Sequence, residues 1–139
     1  MNDTAAAQQV RAQPRQPVVY FQRQADKLVE EAKLKEAETL LTEGLGVYPK
    51  DTSLERRLAD VEFRSGRHDR AKDRLIRAGR ANTAGCDGVF FNAGARLGRA
   101  TGDKKYAEGM VRTGLDRFPL NAELRQHAGI ILANSGNHD

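Results

Sequence analysis

Residues 91–119 read FNAGARLGRATGDKKYAEGMVRTGLDRFP. Phe91, Gly94, Ala95 and Gly98 recur at the three- and four-residue steps of one helical face. The pattern breaks at Gly102-Asp103, resumes with Ala107 and Val111, and stops at Pro119. A glycine just past a helix end can take the left-handed conformation that terminates it, and an aspartate after it can cap the next helix. The stretch therefore predicts two helices joined by a tight turn. Gly94, Gly98 and Gly102 could suggest a phosphate loop, but no strand precedes them, and small residues four apart suit close helix packing instead.

The same skeleton recurs on both sides. Ala25, Ala59 and Ala95 are spaced by 34 and 36 residues, and Ala37, Ala71 and Ala107 keep that spacing. So do Leu41, Leu75 and Val111, followed by the small residues Gly44, Ala78 and Gly114. Pro49, Thr83 and Pro119 close the units, and Gly66, Gly102 and Gly136 mark turns where the first unit has Ala32. The two extra residues of the second spacing fall in the Asn82–Gly88 connection. Helices are expected at about 18–31, 34–48, 52–65, 68–81, 87–101, 104–118 and 121–134, with starts signalled by Asp51 and a Thr52–Glu55 capping box, by Asp103 and by Asn121. Helices this short cannot bury an apolar stripe alone, whereas stacked hairpins share a continuous core.

A period near 34 with a small residue in each helix resembles the tetratricopeptide repeat, whose pattern is aromatic-x2-Leu-Gly-x2-Tyr, then Ala-x3-Phe, then Pro. Here it runs Phe21-x2-Gln24-Ala25-x2-Leu28, Ala37-x3-Leu41 and Pro49 in the first unit. The second, Glu55-x2-Leu58-Ala59-x2-Glu62, Ala71-x3-Leu75 and Thr83, departs most; the third is Phe91-x2-Gly94-Ala95-x2-Gly98, Ala107-x3-Val111 and Pro119. The resemblance covers residues 18–139 and implies an all-α fold, an α-α superhelix (a TPR-like solenoid) of three helical hairpins plus a C-terminal helix. Its units are expected at about 18–51, 52–87 and 88–121, with a terminal helix at 122–134, behind a disordered leader over 1–17 that is rich in Ala, Gln, Arg and Pro. The seventh helix ends in Ser135-Gly136-Asn137-His138-Asp139, close to Ser65-Gly66-Arg67-His68-Asp69. It is either a solitary cap or the start of a further hairpin in a longer protein.

Composition agrees with helices packed over small residues: aromatics make up 6% and there is no Trp, too few for a β-sandwich. One cysteine, Cys86, cannot form an internal disulfide, and no stretch is apolar enough to span a bilayer, so the expected location is cytoplasmic. The net charge of +4 is concentrated. Between Arg56 and Arg80 nine basic residues face four acidic ones, a surplus larger than that of the whole chain.

Nothing in the sequence announces catalysis or a cofactor. His68, His127 and His138 are dispersed without metal-ligand spacing, His68 reads as the opening residue of a helix, and Cys86 has no evident base beside it and reads as a free loop thiol. Recognition is the better expectation. The family resemblance implies that the first helix of each unit lines a concave groove. Carried over residue by residue, its candidate contacts are Arg23, then Arg56, Arg57, Phe63 and Arg64, then Asn92, Arg96 and Arg99, with Glu123, Gln126, His127 and Ile130 on the last helix. Five of these arginines, Arg56, Arg57, Arg64, Arg96 and Arg99, would turn guanidinium forks suited to carboxylates toward one groove, which implies an acidic peptide or protein surface as partner. The family's clamp for a terminal carboxylate is not met: its places hold Gln22, Asp26, Arg57, Val89 and Ala93, and Asp26 would repel a carboxylate. Two other functions compete. The chain could be the recruiting or structural region of a larger protein, such as a transferase or secretion-assembly factor. Nucleic-acid binding by the Arg56–Arg80 segment would depend steeply on salt, and the lack of interleaved aromatics argues against it.

Overall fold

The computed structural model describes residues 15–136, with side chains to residue 131. Most of the expected leader, and the tail residues Asn137 to Asp139, lie outside the described residues. Seven α-helices follow one another: α1 (Val18–Glu30), α2 (Leu34–Val47), α3 (Thr52–Arg64), α4 (His68–Ala81), α5 (Gly88–Ala100), α6 (Lys104–Arg117) and α7 (Ala122–Gly136). They pair as α1/α2, α3/α4 and α5/α6 hairpins with α7 added at the end, and no strand occurs among the described residues. The expected helices are found, with ends displaced by a residue or two.

Each hairpin turns in the same way. Lys33, Arg67 and Asp103 donate their backbone N–H to Leu28, Glu62 and Gly98 carbonyls, each at 2.8 Å, closing the helix end with a left-handed residue inside the loop. That residue is Gly66 (φ 85°) or Gly102 (φ 74°) in the later hairpins, and Ala32 (φ 60°) in the first. Alanine pays a steric penalty there that glycine escapes, on the order of 1 kcal/mol. Caps hold the helix starts: Asp51, Asp87 and Asn121 accept from the N–H of Leu54, Phe90 and Leu124 at 2.9 Å, and Asp103 from Tyr106 at 3.1 Å. The Thr52–Glu55 capping box does not form. Asp51 is the cap, and the Thr52 hydroxyl instead donates to the Gly85 carbonyl at 2.7 Å. It thereby ties α3 to the 3-10 turn Thr83–Gly85, which takes up the two extra residues. Asn82 braces that turn, accepting from Gly85 N–H at 3.1 Å and donating to the Lys50 carbonyl at 2.9 Å.

The core is where hairpins cross. Ala25, Ala59 and Ala95, with Ala37, Ala71 and Ala107, are all nearly inaccessible, and Leu41, Leu54, Leu75, Val61, Val111 and Leu124 fill the space around them. At the third crossing a Cβ on Gly98 would stand 2.8 Å from the Ala107 backbone nitrogen, so the two helices touch backbone to backbone. Along the array α1, α3, α5 and α7 each contact the next, whereas α2, α4 and α6 make little direct contact with one another. Helices that touch occupy the inside of a curve. The odd helices therefore form the concave face, and their outward-turned side chains are presented to it.

The turn geometry predicts that Ala32→Gly raises stability by about 1 kcal/mol, measured by urea unfolding. Gly98→Ala is expected to lower it by about 1–3 kcal/mol in the same assay, because the obstructing atoms are backbone and cannot rotate away.

Candidate functional site: a basic cleft on the concave face

Helical spacing brings the site together. Arg56, Asp60, Phe63 and Arg64 project from one side of α3, and Ala93, Arg96 and Leu97 from the facing side of α5. They enclose a cleft of about 320 Å³. Its floor is apolar: Ala93 and Leu97 are buried, and Phe63 is held in place by stacking on the His68 ring, centroids 4.4 Å apart and planes at 26°. Arginines stand around it in different states. Arg64 donates to Asp60 at 2.9 Å. Arg56 and Arg96 form no hydrogen bond or ion pair with any described residue. Arg56 is also partly withdrawn from water, and that desolvation, with the neighbouring Arg57 charge, lowers its pKa against the opposing pull of the Asp87, Asp26 and Asp60 carboxylates. A half-buried guanidinium with no carboxylate in direct contact is open to a counter-ion brought by a ligand.

Arg56 and Arg64 extend into a second, smaller cleft of about 230 Å³ toward α1, where Arg57 and Asp26 also lie. This junction is fastened by its own side chains. Arg57 donates to both Asp26 oxygens, at 2.9 and 3.2 Å, and to the Ser53 hydroxyl at 2.8 Å, and Gln22 donates to the same hydroxyl at 2.6 Å. Arg57 is thus neutralised inside the protein.

The remaining candidates are dispersed. Asn92 is 2% exposed and donates to the Gly88 carbonyl at 2.9 Å and to Asn121 at 3.2 Å, so it braces the start of α5 rather than lining the cleft. Arg99 lines a separate cleft with Gly98, Lys104, Ile130 and Ile131. Arg23 is exposed and lies outside both concave clefts. His127 is buried on α7 with its Nδ1 unpartnered, and burial lowers its pKa, helped by Arg99 and Arg96 and opposed by Glu123. Five guanidinium groups therefore do not converge: three meet in the main cleft. Leu97, which completes its floor, was not among the sequence candidates, although it stands one helical turn beyond Ala93.

Much of the basic segment has a structural task. Arg74 pairs with Glu55 at 2.9 Å and with the nearly inaccessible Glu62 at 2.7 Å, which Arg70 also reaches at 2.8 Å. Arg67 holds Glu38, and Lys72 holds Asp103 at 3.2 Å. These pairs link successive hairpins or the two helices of one. Cys86, expected as a loop thiol, lies in the loop but is buried, which raises its pKa and disfavours the reactive thiolate. No group of three or more His, Cys, Asp or Glu among the described residues could hold a metal, and no described helix is long and apolar enough to cross a membrane.

No protein-family model and no curated protein matches the chain. Solved structures do. The first tetratricopeptide domain of Spaghetti (RPAP3), bound to the HSP90 peptide SRMEEVD, superposes with a TM-score of 0.75 at 18% identity, over 86% of this chain and 94% of that one. The chain has the tetratricopeptide-repeat fold. The first such domain of human RPAP3 (TM-score 0.71, 20% identity, 88% and 97% covered) agrees with this tetratricopeptide assignment. So does YrrB, a tetratricopeptide protein with an unusual peptide-binding site, at TM-score 0.71 and 19% identity over 86% of this chain and 61% of YrrB. At these identities the likeness is one of fold, and the ligand must be argued from this chain's own residues.

The buried His127 gives a pH test. Its folded-state pKa lies below the unfolded one, so the unfolded chain binds the extra proton and stability falls as pH drops through the unfolded value near 6.5 and on toward the folded one. Urea unfolding of the wild type should lose more stability than His127→Gln between neutral and mildly acidic pH; parallel losses would show that His127 is not the group responsible.

Proposed function

We propose that this protein is an interaction scaffold, not an enzyme, and that it holds an acidic peptide or acidic protein surface in its concave groove at the α3/α5 cleft. The observation that carries the reading is Arg56: partly desolvated, unpaired, and set beside a second unpaired guanidinium, Arg96, over an apolar floor. A carboxylate is the counter-ion that such a fork binds in two-point fashion, and the exclusion of water by the ligand strengthens the pair. The peptide bound to the RPAP3 domain and the peptide-binding site of YrrB support the use of this fold for polypeptide ligands.

A nucleic-acid partner is less well supported. Arg67, Arg70, Lys72 and Arg74 are engaged with carboxylates of the array itself, so the charge available for phosphates is smaller than the sequence suggests. The proposal places the scaffold in the cytoplasm, supported by the single, unpaired cysteine.

Arg56→Glu is expected to weaken capture of a fluorescent poly-glutamate peptide by more than tenfold, while the circular dichroism spectrum stays helical. Arg23→Glu, outside both concave clefts, should change it little. Unaltered capture by Arg56→Glu would remove the basis for the groove.

A further inference from the structure

The α3/α5 cleft differs from its neighbour for a reason visible in the repeat register. At the α1/α3 junction Ser53 and Arg57 of the later helix reach back to Gln22 and Asp26 and bridge the gap, leaving only the smaller cleft of about 230 Å³. One repeat further on, 36 residues along, their places are taken by Val89 and Ala93. Neither can reach Arg56 or Asp60 with a polar atom, so the fastening is missing and a hole floored by Phe63, Ala93 and Leu97 remains.

We propose that this hole selects the ligand: it seats one bulky apolar side chain standing next to acidic residues, so that the groove recognises an apolar–acidic pair and not charge alone. The inference rests on the acidic-peptide reading above and adds the determinant that charge leaves open. About 320 Å³ is room for one large side chain. Its contents argue against a carboxylate going in: Asp60 lines the cleft, and an acid driven to the apolar floor would be desolvated beside a like charge. An apolar group there covers Phe63 and Leu97 and leaves the flanking carboxylates at the rim, where Arg56 and Arg96 are unpaired. Filling the hole also removes water from Arg56, so the two contacts reinforce one another. The stacking of Phe63 on His68 keeps the floor in place before the ligand arrives.

The test uses short glutamate-rich peptides, acetylated and amidated, with one central leucine or with serine in its place, and measures binding to the full chain by fluorescence anisotropy. The leucine peptide should bind about tenfold more tightly than the serine peptide. Ala93→Arg places a side chain where Arg57 stands one repeat earlier, facing Asp60 as Arg57 faces Asp26. It should abolish the leucine preference while acidic peptides still bind. Ala93→Leu fills the same hole without charge and should have the same effect on the preference, which guards against a folding failure in the first variant. Equal affinity of the two peptides for the wild type would overturn the inference and leave the acidic groove standing. Binding of neither would overturn both.

Discussion

Close crossing of the two helices in each hairpin is the constraint on which this structure depends. Ala37, Ala71 and Ala107 are buried against the helix they cross, and at Gly98 the approach is so close that no side chain fits. An aromatic-poor chain has few large side chains with which to fill a core. It gains packing instead by bringing backbones together, so that many short-range contacts replace a few bulky ones. Short helices that would not persist alone are thereby made mutually supporting. The period of the repeat, the tight left-handed turns and the curvature of the array all follow from keeping these crossings in register.

Charge serves the array before it serves a ligand. Glu62 lies at the core of the second hairpin, where a leucine or glycine stands in its neighbours, and two arginines of α4 compensate it. That arrangement explains why the second unit departs most from the repeat pattern. It has exchanged an apolar contact for a buried ionic one, an exchange that brings little net stability but penalises the loss of either partner. The arginine-rich appearance of the segment is in large part the counter-charge to Glu38, Glu55, Glu62 and Asp103. Of the segment's basic residues Arg56, Arg77 and Arg80 are left without an ion pair among the described residues, and of these Arg56 lines the α3/α5 cleft, with Arg96 of α5.

The three junctions between odd helices show how a repeat diversifies without altering its fold. The first is fastened by Arg57 and Asp26, the second is open over an apolar floor, and the third carries a buried histidine and asparagine. The helix arrangement repeats at each, and the groove-facing side chains differ. A solenoid can therefore confine a binding site to one junction while the others contribute rigidity.

The fold was legible in the sequence because its determinants are local and periodic. Ala25, Ala59 and Ala95 set the helix crossings, Gly66 and Gly102 the turns, and Asp51, Asp103 and Asn121 three of the starts, each acting within a few residues of itself. The Thr52–Glu55 pairing failed because Asp51 is the cap and Thr52 already lies in the helix, so the Glu55 N–H goes to the Asp51 carbonyl and the Thr52 hydroxyl donates to the Gly85 carbonyl 33 residues away. The groove was legible only as a set of facing positions. That Arg57 is neutralised by Asp26 from 31 residues off, that Asn92 is buried, that Arg99 faces another cleft and that Leu97 floors the main one were decided by tertiary structure. The physical reason is that helix formation depends on neighbours along the chain, whereas whether a charge is free or paired depends on which side chains meet across a junction.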